Sequence, residues 1–156
     1  MKLNLEGKEQ FDAPPQELWD ALIDPEVLTK CIPGCRKMTE IGPDSYVIEV
    51  QLKVAAVGGS FEGAVSLHDK NEPESCRIKV SGEGSLGTGE GQASFTITPT
   101  DDGGSELSYY GEGEVGGLVA GVGQRILKSV SRHLVKQFFT GLKKHFSASD
   151  DVSTES

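Results

Sequence analysis

Residues 117–146 read GLVAGVGQRILKSVSRHLVKQFFTGLKKHF. Apolar side chains recur at Val119, Val122, Ile126, Val130, Leu134, Phe138 and Leu142. The steps are three or four residues, which predicts a helix with one apolar face. At roughly 100° per residue, Arg125, Arg132, Lys136 and Lys143 fall within about 40° of one another, with Lys128 close by. The segment therefore predicts a long C-terminal amphipathic helix with a basic stripe.

Charge separates sharply along the chain. No Asp or Glu lies between Val115 and Ser149, where six Lys and Arg occur. The net charge is −9, so taking out those six leaves about −15 on the rest. Two readings stay open and are compatible. The basic face can lie among acidic strands of the same fold, or it can meet anionic lipid or an acidic partner. The acidic balance argues against nucleic acid as a partner.

Working outward, the period upstream of the helix is two rather than four. Strands are predicted at residues 2–12, 36–41, 45–57, 60–69, 76–84, 93–98 and 106–115. Between the first two, Pro15 opens a short helix over 16–23, and Asp24-Pro25 separates it from a second over 26–31. Turn chemistry at Pro43-Asp44, Glu72-Pro73-Glu74 and Asp101-Asp102-Gly103-Gly104 joins the strands. No connection is long enough for a parallel crossover, so the sheet is expected to be antiparallel. Its apolar face needs a covering layer, and only the last helix is long enough to supply one. The fold class that follows is α+β. A curved antiparallel sheet of about seven strands wraps a long C-terminal helix, with two short helices after the first strand. Residues 1–146 form one domain, and the small, polar, acidic 147–156 reads as a disordered tail.

Other features bound the function. No apolar run is long enough to span a bilayer, and the start lacks a signal-peptide pattern, which points to a cytoplasmic protein. Cys31, Cys35 and Cys76 are an odd number and read as reduced thiols rather than a disulfide framework or a zinc site. His68, His133 and His145 stand apart, so no metal set is expected. The run Gly82–Gly91 lacks the Gly-Lys-Ser/Thr ending of a phosphate loop. No catalytic constellation assembles, and Tyr46, Tyr109 and His133 are the only polar candidates for one.

Glycines at 63, 82, 84, 111 and 113 fall on inward phases. They either let the sheet bend or leave a cavity between sheet and helix, and one device can do both. In the cavity reading, Val50, Val54, Phe61, Gly63, Val65 and Tyr109 form the sheet wall. Val122, Ile126, Val130 and Phe138 form the helix wall. Arg125, Lys128, Arg132, Lys136 and Lys143 then present the outer, membrane- or partner-facing surface. An enzyme of cyclase or hydrolase type, or an assembly factor with a filled core, are the alternatives on the same architecture.

Trp19 with Asp24-Pro25-Glu26-Val27-Leu28, then Cys31-Ile32-Pro33-Gly34-Cys35, resembles the CoxG family of carbon monoxide dehydrogenase subunits. Phe61-Glu62-Gly63, Gly116-Gly117-Leu118, Gly123-Gln124-Arg125-Ile126 and Gln137-Phe138-Phe139 extend the resemblance over residues 2–146. It implies the helix-grip fold of the START-like, birch-pollen-allergen-like (SRPBCC) superfamily, whose members typically hold an apolar ligand between sheet and helix. It further implies a non-enzymatic accessory protein of a carbon monoxide dehydrogenase-type molybdenum hydroxylase. Such a protein would help place that enzyme at the inner face of the cell membrane and bind a quinone- or lipid-like molecule, with no covalent cofactor. Some members carry a Pro- and Ala-rich linker ending in an apolar anchor. This sequence shows none, so the membrane contact expected is transient and peripheral.

Overall fold

The computed structural model describes residues 1–54 and 57–155, the side chains at 54, 57 and 148–155 excepted. Its elements are β1 (Lys2–Phe11), α1 (Pro15–Leu22), α2 (Pro25–Cys31), β2 (Cys35–Gly42), β3 (Ser45–Val54), β4 (Val57–Asn71) and β5 (Ser75–Gly84), followed by β6 (Gly87–Pro99), β7 (Ser105–Gly116), a 3₁₀ turn (Leu118–Val122) and α3 (Gln124–Glu155). The seven strands form one antiparallel sheet in the order β1-β7-β6-β5-β4-β3-β2. Every hairpin joins neighbours except the closing pair, where the first strand lies beside the last.

Local chemistry sets the helix starts. Pro15 opens α1 and Pro25 opens α2, each where a missing N–H costs nothing. Asp24 caps α2, its carboxylate accepting from the Glu26 N–H at 2.9 Å. The Ile32-Pro33-Gly34-Cys35 turn then reverses the chain with Gly34 at φ +74°, and the Gln51 N–H donates to the Gly34 carbonyl at 2.9 Å. A side chain at Gly34 would run into the Gln51 carbonyl, so this turn needs glycine twice over. Ser105, fully buried, donates to the Ala13 carbonyl at 2.7 Å and ties the approach to α1 onto β7.

Three sequence expectations shift. The strand expected from Ala93 begins at Gly87, because a run of glycines shows no side-chain alternation to read. The glycine-rich segment, whose sequence excludes a phosphate loop, is the β5–β6 hairpin, with Gly84 opposite Gly87. The helix expected from Gly117 begins only at Gln124. Gly117 and Gly123, at φ +85° and +103°, bracket a separate 3₁₀ turn. At the other end α3 carries on to Glu155, through backbone where the acidic composition favoured a tail.

α3 packs along β1. Gln124 Nε2 donates to the Lys2 carbonyl at 2.9 Å near its start, and Lys143 Nζ meets Glu9 Oε2 at 2.8 Å further on. Beneath it the interior falls into two apolar clusters. The larger gathers Phe11, Leu18, Trp19, Phe95, Ile97, Leu107, Phe139 and Leu142, backed by α1 and α2. The smaller joins Val119 and Leu127 to Leu3, Leu52, Phe61, Leu86, Val115, Val122 and Val130.

Candidate functional site: an apolar trough between sheet and helix

Between the two clusters lies a cavity of about 410 Å³. Leu3 and Leu5 of β1, Tyr109, Gly111, Gly113 and Val115 of β7, Gly89, Gly91 and Ala93 of β6 and Val80 of β5 line its sheet side. Lys128, Ser131 and Val135 of α3 line its roof. The volume lies in the usual range for small-molecule sites. Val80 stays 43% exposed although it points to the helix side of the sheet, so the trough opens to solvent along β5.

The registers explain the hollow. Gly91 pairs with Gly113 and Val80, Gly89 with Gly82 and Val115, and Gly111 with Ala93 and Leu5. In an antiparallel sheet directly opposed residues share a face, so glycines gather into one floor. Within it the two possible uses of glycine separate position by position. A Cβ at Gly91 would lie 2.6 Å from the Glu112 carbonyl oxygen, and one at Gly113 3.0 Å from that of Glu90. Those glycines let adjacent backbones close up as the sheet bends. At Gly111 the nearest atom is the Ala93 Cβ at 3.6 Å, and at Gly89 it is a Val115 methyl at 3.6 Å. A side chain would fit at either, and its absence leaves room.

Of the wall expected from sequence, Tyr109 lines the cavity. Its ring lies 5.1 Å from that of Phe139, and a Cβ at Gly7 would sit 2.6 Å from its hydroxyl oxygen, so Gly7 makes way for the phenol. Burial, reinforced by Glu9, pushes the Tyr109 pKa up. Phe61, Val122 and Val130 belong to the smaller cluster and Phe138 packs on the larger. Val50 and Val65 are half-buried on the inward face, and Gly63 lies under the Ile48 side chain. The side chain of Val54 lies outside the described residues.

Two assignments on α3 are corrected. Ile126, expected in the helix wall, is 48% exposed. Lys128, expected on the outer surface, is half-buried and lines the trough. One cause accounts for both. Steps of four residues advance about 400°, so a stripe read in fours drifts about 40° per step. Ile126 and Leu142 therefore end nearly opposite, and the side facing the sheet carries Leu127, Lys128, Ser131, Val135, Phe139 and Leu142.

The basic stripe is also smaller than expected. Lys143 is tied to Glu9 and stands 5.7 Å above the Phe11 ring. Arg125, Arg132 and Lys136 remain exposed on one flank of α3, without ion pairs among the described residues. Leu118, in the 3₁₀ turn ahead of this flank, is 75% exposed. The polar candidates for catalysis do not converge. His133 is exposed on the far side of α3, and Tyr46 is buried on β3, while Tyr109 is in the trough. Of the three free thiols, Cys31 and Cys76 are buried and Cys35 is half-buried.

A seven-stranded antiparallel sheet closed by one long helix over an interior hollow defines the helix-grip, START-like class. A START superfamily protein from Mycobacterium smegmatis superposes with a TM-score of 0.72 over 91% of this chain and 95% of its own, at 14% identity. The chain belongs to the CoxG family of carbon monoxide dehydrogenase subunits, whose sequence model matches residues 7–147. A conserved protein of Geobacillus kaustophilus is 35% identical, covering 94% of this chain and 97% of that one, with a TM-score of 0.91. Protein CV1439 of Chromobacterium violaceum is 20% identical over 86% of this chain and 94% of its own, with a TM-score of 0.61. No curated protein matches.

Proposed function

We propose that this protein is a non-enzymatic carrier that holds a quinone- or lipid-like molecule in the trough between β5–β7, β1 and α3, in the service of a carbon monoxide dehydrogenase-type molybdenum hydroxylase. The observation that carries the reading is the cavity of about 410 Å³, walled mainly by aliphatic side chains and glycine backbone. Each Å² of apolar ligand surface buried there contributes about 25 cal/mol before ordering costs, so a few hundred Å² suffice for useful affinity. The family membership supports the link to the enzyme, and the hollow weighs against a purely structural factor with a filled core. Mass spectrometry of an organic extract of protein purified from its own host tests the carrier role. A co-purifying isoprenoid quinone or lipid is the expected result. A trough that is repeatedly empty and takes up no quinone analogue on titration overturns it.

The flank of Arg125, Arg132 and Lys136, with the exposed Leu118 nearby, fits transient contact with an anionic membrane surface at which such a guest is exchanged. No helix of the described residues is long and apolar enough to cross a membrane. Each cation near an anionic surface contributes up to about 1 kcal/mol at low salt. Co-sedimentation with anionic vesicles is expected to weaken with added salt, and to fall sharply when all three are replaced by Gln. Binding that ignores salt, or none at all, removes the membrane part and leaves the carrier part standing.

A further inference from the structure

The roof of the trough carries a feature that a purely apolar guest does not need. Lys128 sits on the inward side of α3 between the buried Leu127 and Ser131, over a floor of Leu3, Leu5, Gly111 and Gly113. The only carboxylate among the inward positions of β1 is Glu9, and it is held by Lys143 at 2.8 Å. Glu90, Glu112 and Glu114 touch the trough's edge, but their side chains belong to the outer face of the sheet. Among the described residues Lys128 makes no ion pair, and neither Lys128 nor the Ser131 hydroxyl makes a side-chain hydrogen bond. An ammonium on an apolar wall loses hydration and needs a partner, or must reach back to water. A plain apolar wall would place Leu or Met there. Ser131, three residues on along the same face, adds a hydroxyl that can donate toward the same point.

Resting on the lipid half of the carrier reading, we infer that the guest is an anionic amphipath rather than a neutral quinone: its apolar chain lies on the glycine floor, and its carboxylate or other anionic oxygen group meets Lys128 and Ser131. Charge-assisted hydrogen bonds of this kind are the stronger class and set orientation as well as affinity. The guest would enter with its head toward the smaller cluster and its tail toward Tyr109 and Val135.

The test compares dodecanoic acid with 1-dodecanol, which share a tail and differ in head charge. Binding to the full chain is measured by titration calorimetry, for the unaltered protein, Lys128→Met and Lys144→Met. The expected result is about tenfold tighter binding of the acid by the unaltered protein, the size of one charge-assisted hydrogen bond. Lys128→Met should abolish that preference and leave the alcohol's affinity in place, while the surface change Lys144→Met keeps it. Equal binding of acid and alcohol by the unaltered protein, or a preference that survives Lys128→Met, overturns the inference and spares the carrier reading. If neither compound binds, the inference falls, and the carrier reading stands or falls with the quinone titration. Thermal melts confirm that the variants are folded, and Lys128→Gln, which keeps a neutral donor, should lose the preference as Lys128→Met does.

Discussion

The two halves of the interior are built by the same strands and the same helix, yet one is solid and the other hollow. On β6 the inward positions run Ile97, Phe95, Ala93, Gly91, Gly89. On β7 they run Leu107, Tyr109, Gly111, Gly113, and on β5 they run Cys76, Ile78, Val80, Gly82. On α3 they run Leu142, Phe139, Val135, Ser131, Lys128 and Leu127. Each strand tapers to glycine as it leaves the cluster around Trp19, and α3 is polar there, at Ser131 and Lys128. Because the pairings are in register, the tapers coincide and their missing volume adds up in one place. A single glycine would leave a dent, whereas aligned glycines leave a trough. The solid half can then carry stability while the hollow half carries binding.

The sharpest way to break that contrast is in the solid half. Trp19 is fully buried, with its ring 5.9 Å from that of Phe95. Trp19→Ala should cost about 3–5 kcal/mol in urea denaturation, the range for truncating a large core aromatic. The Trp19 Nε1 has no hydrogen-bond partner among the described residues. The loss should therefore follow volume alone, with Trp19→Phe costing well under half as much. A Trp19→Ala protein of unchanged stability would mean that this end is not the anchor.

In the hollow half, two substitutions on neighbouring strands of the same floor should act in opposite ways. Gly91→Ala drives a methyl toward the Glu112 carbonyl and should cost about 1–3 kcal/mol, as overpacking does. Gly111→Leu starts from a Cβ in ordinary contact with Ala93 and extends into the trough. It should leave stability within about 1 kcal/mol and abolish uptake of an apolar guest, read by the same extraction and titration. If Gly111→Leu unfolds the protein while Gly91→Ala is silent, the assignment of bending and space to these two glycines is reversed.

How far this was legible from residues alone depends on which signal each feature left. Strand alternation and proline punctuation are local, so β1, α1, α2 and β3 could be placed to within a few residues. The order strand, two short helices, strands and long helix then left one way to cover the sheet. Glycine at inward phase announced some hollow, because periodicity marks which face lacks a side chain. What periodicity does not contain is the distance from each missing Cβ to the next backbone, so bending glycines and space-leaving ones looked alike. The wall of the trough was misplaced for a geometric reason. A stripe read in steps of four spirals away from the sheet, which carried Ile126 outward and hid Lys128 and Ser131. The break at Gly123 was foreshadowed by Gly117, Gly121 and Gly123 standing so close together, but positive φ is a property of the folded chain.

The mildest test uses pH and bears on Tyr109, which stands where solid gives way to hollow. Burial comes first and Glu9 second in raising its pKa above the ordinary 10.0, since both disfavour the phenolate. A phenol whose folded pKa lies above its unfolded one contributes stability that is complete below about pH 10 and is lost as pH rises through the folded value. The urea midpoint should thus fall on the alkaline side, and Tyr109→Phe should make that fall shallower without changing the midpoint's level near neutrality. Some slope must survive the substitution. Tyr46 is pushed up in the same direction by burial, with Glu40 and Asp44 adding to it. A guest in the trough removes more water from the Tyr109 ring, so its presence should move the alkaline fall to higher pH in the unaltered protein and not in Gly111→Leu. A shift of equal size in both would place the guest somewhere other than beside Tyr109.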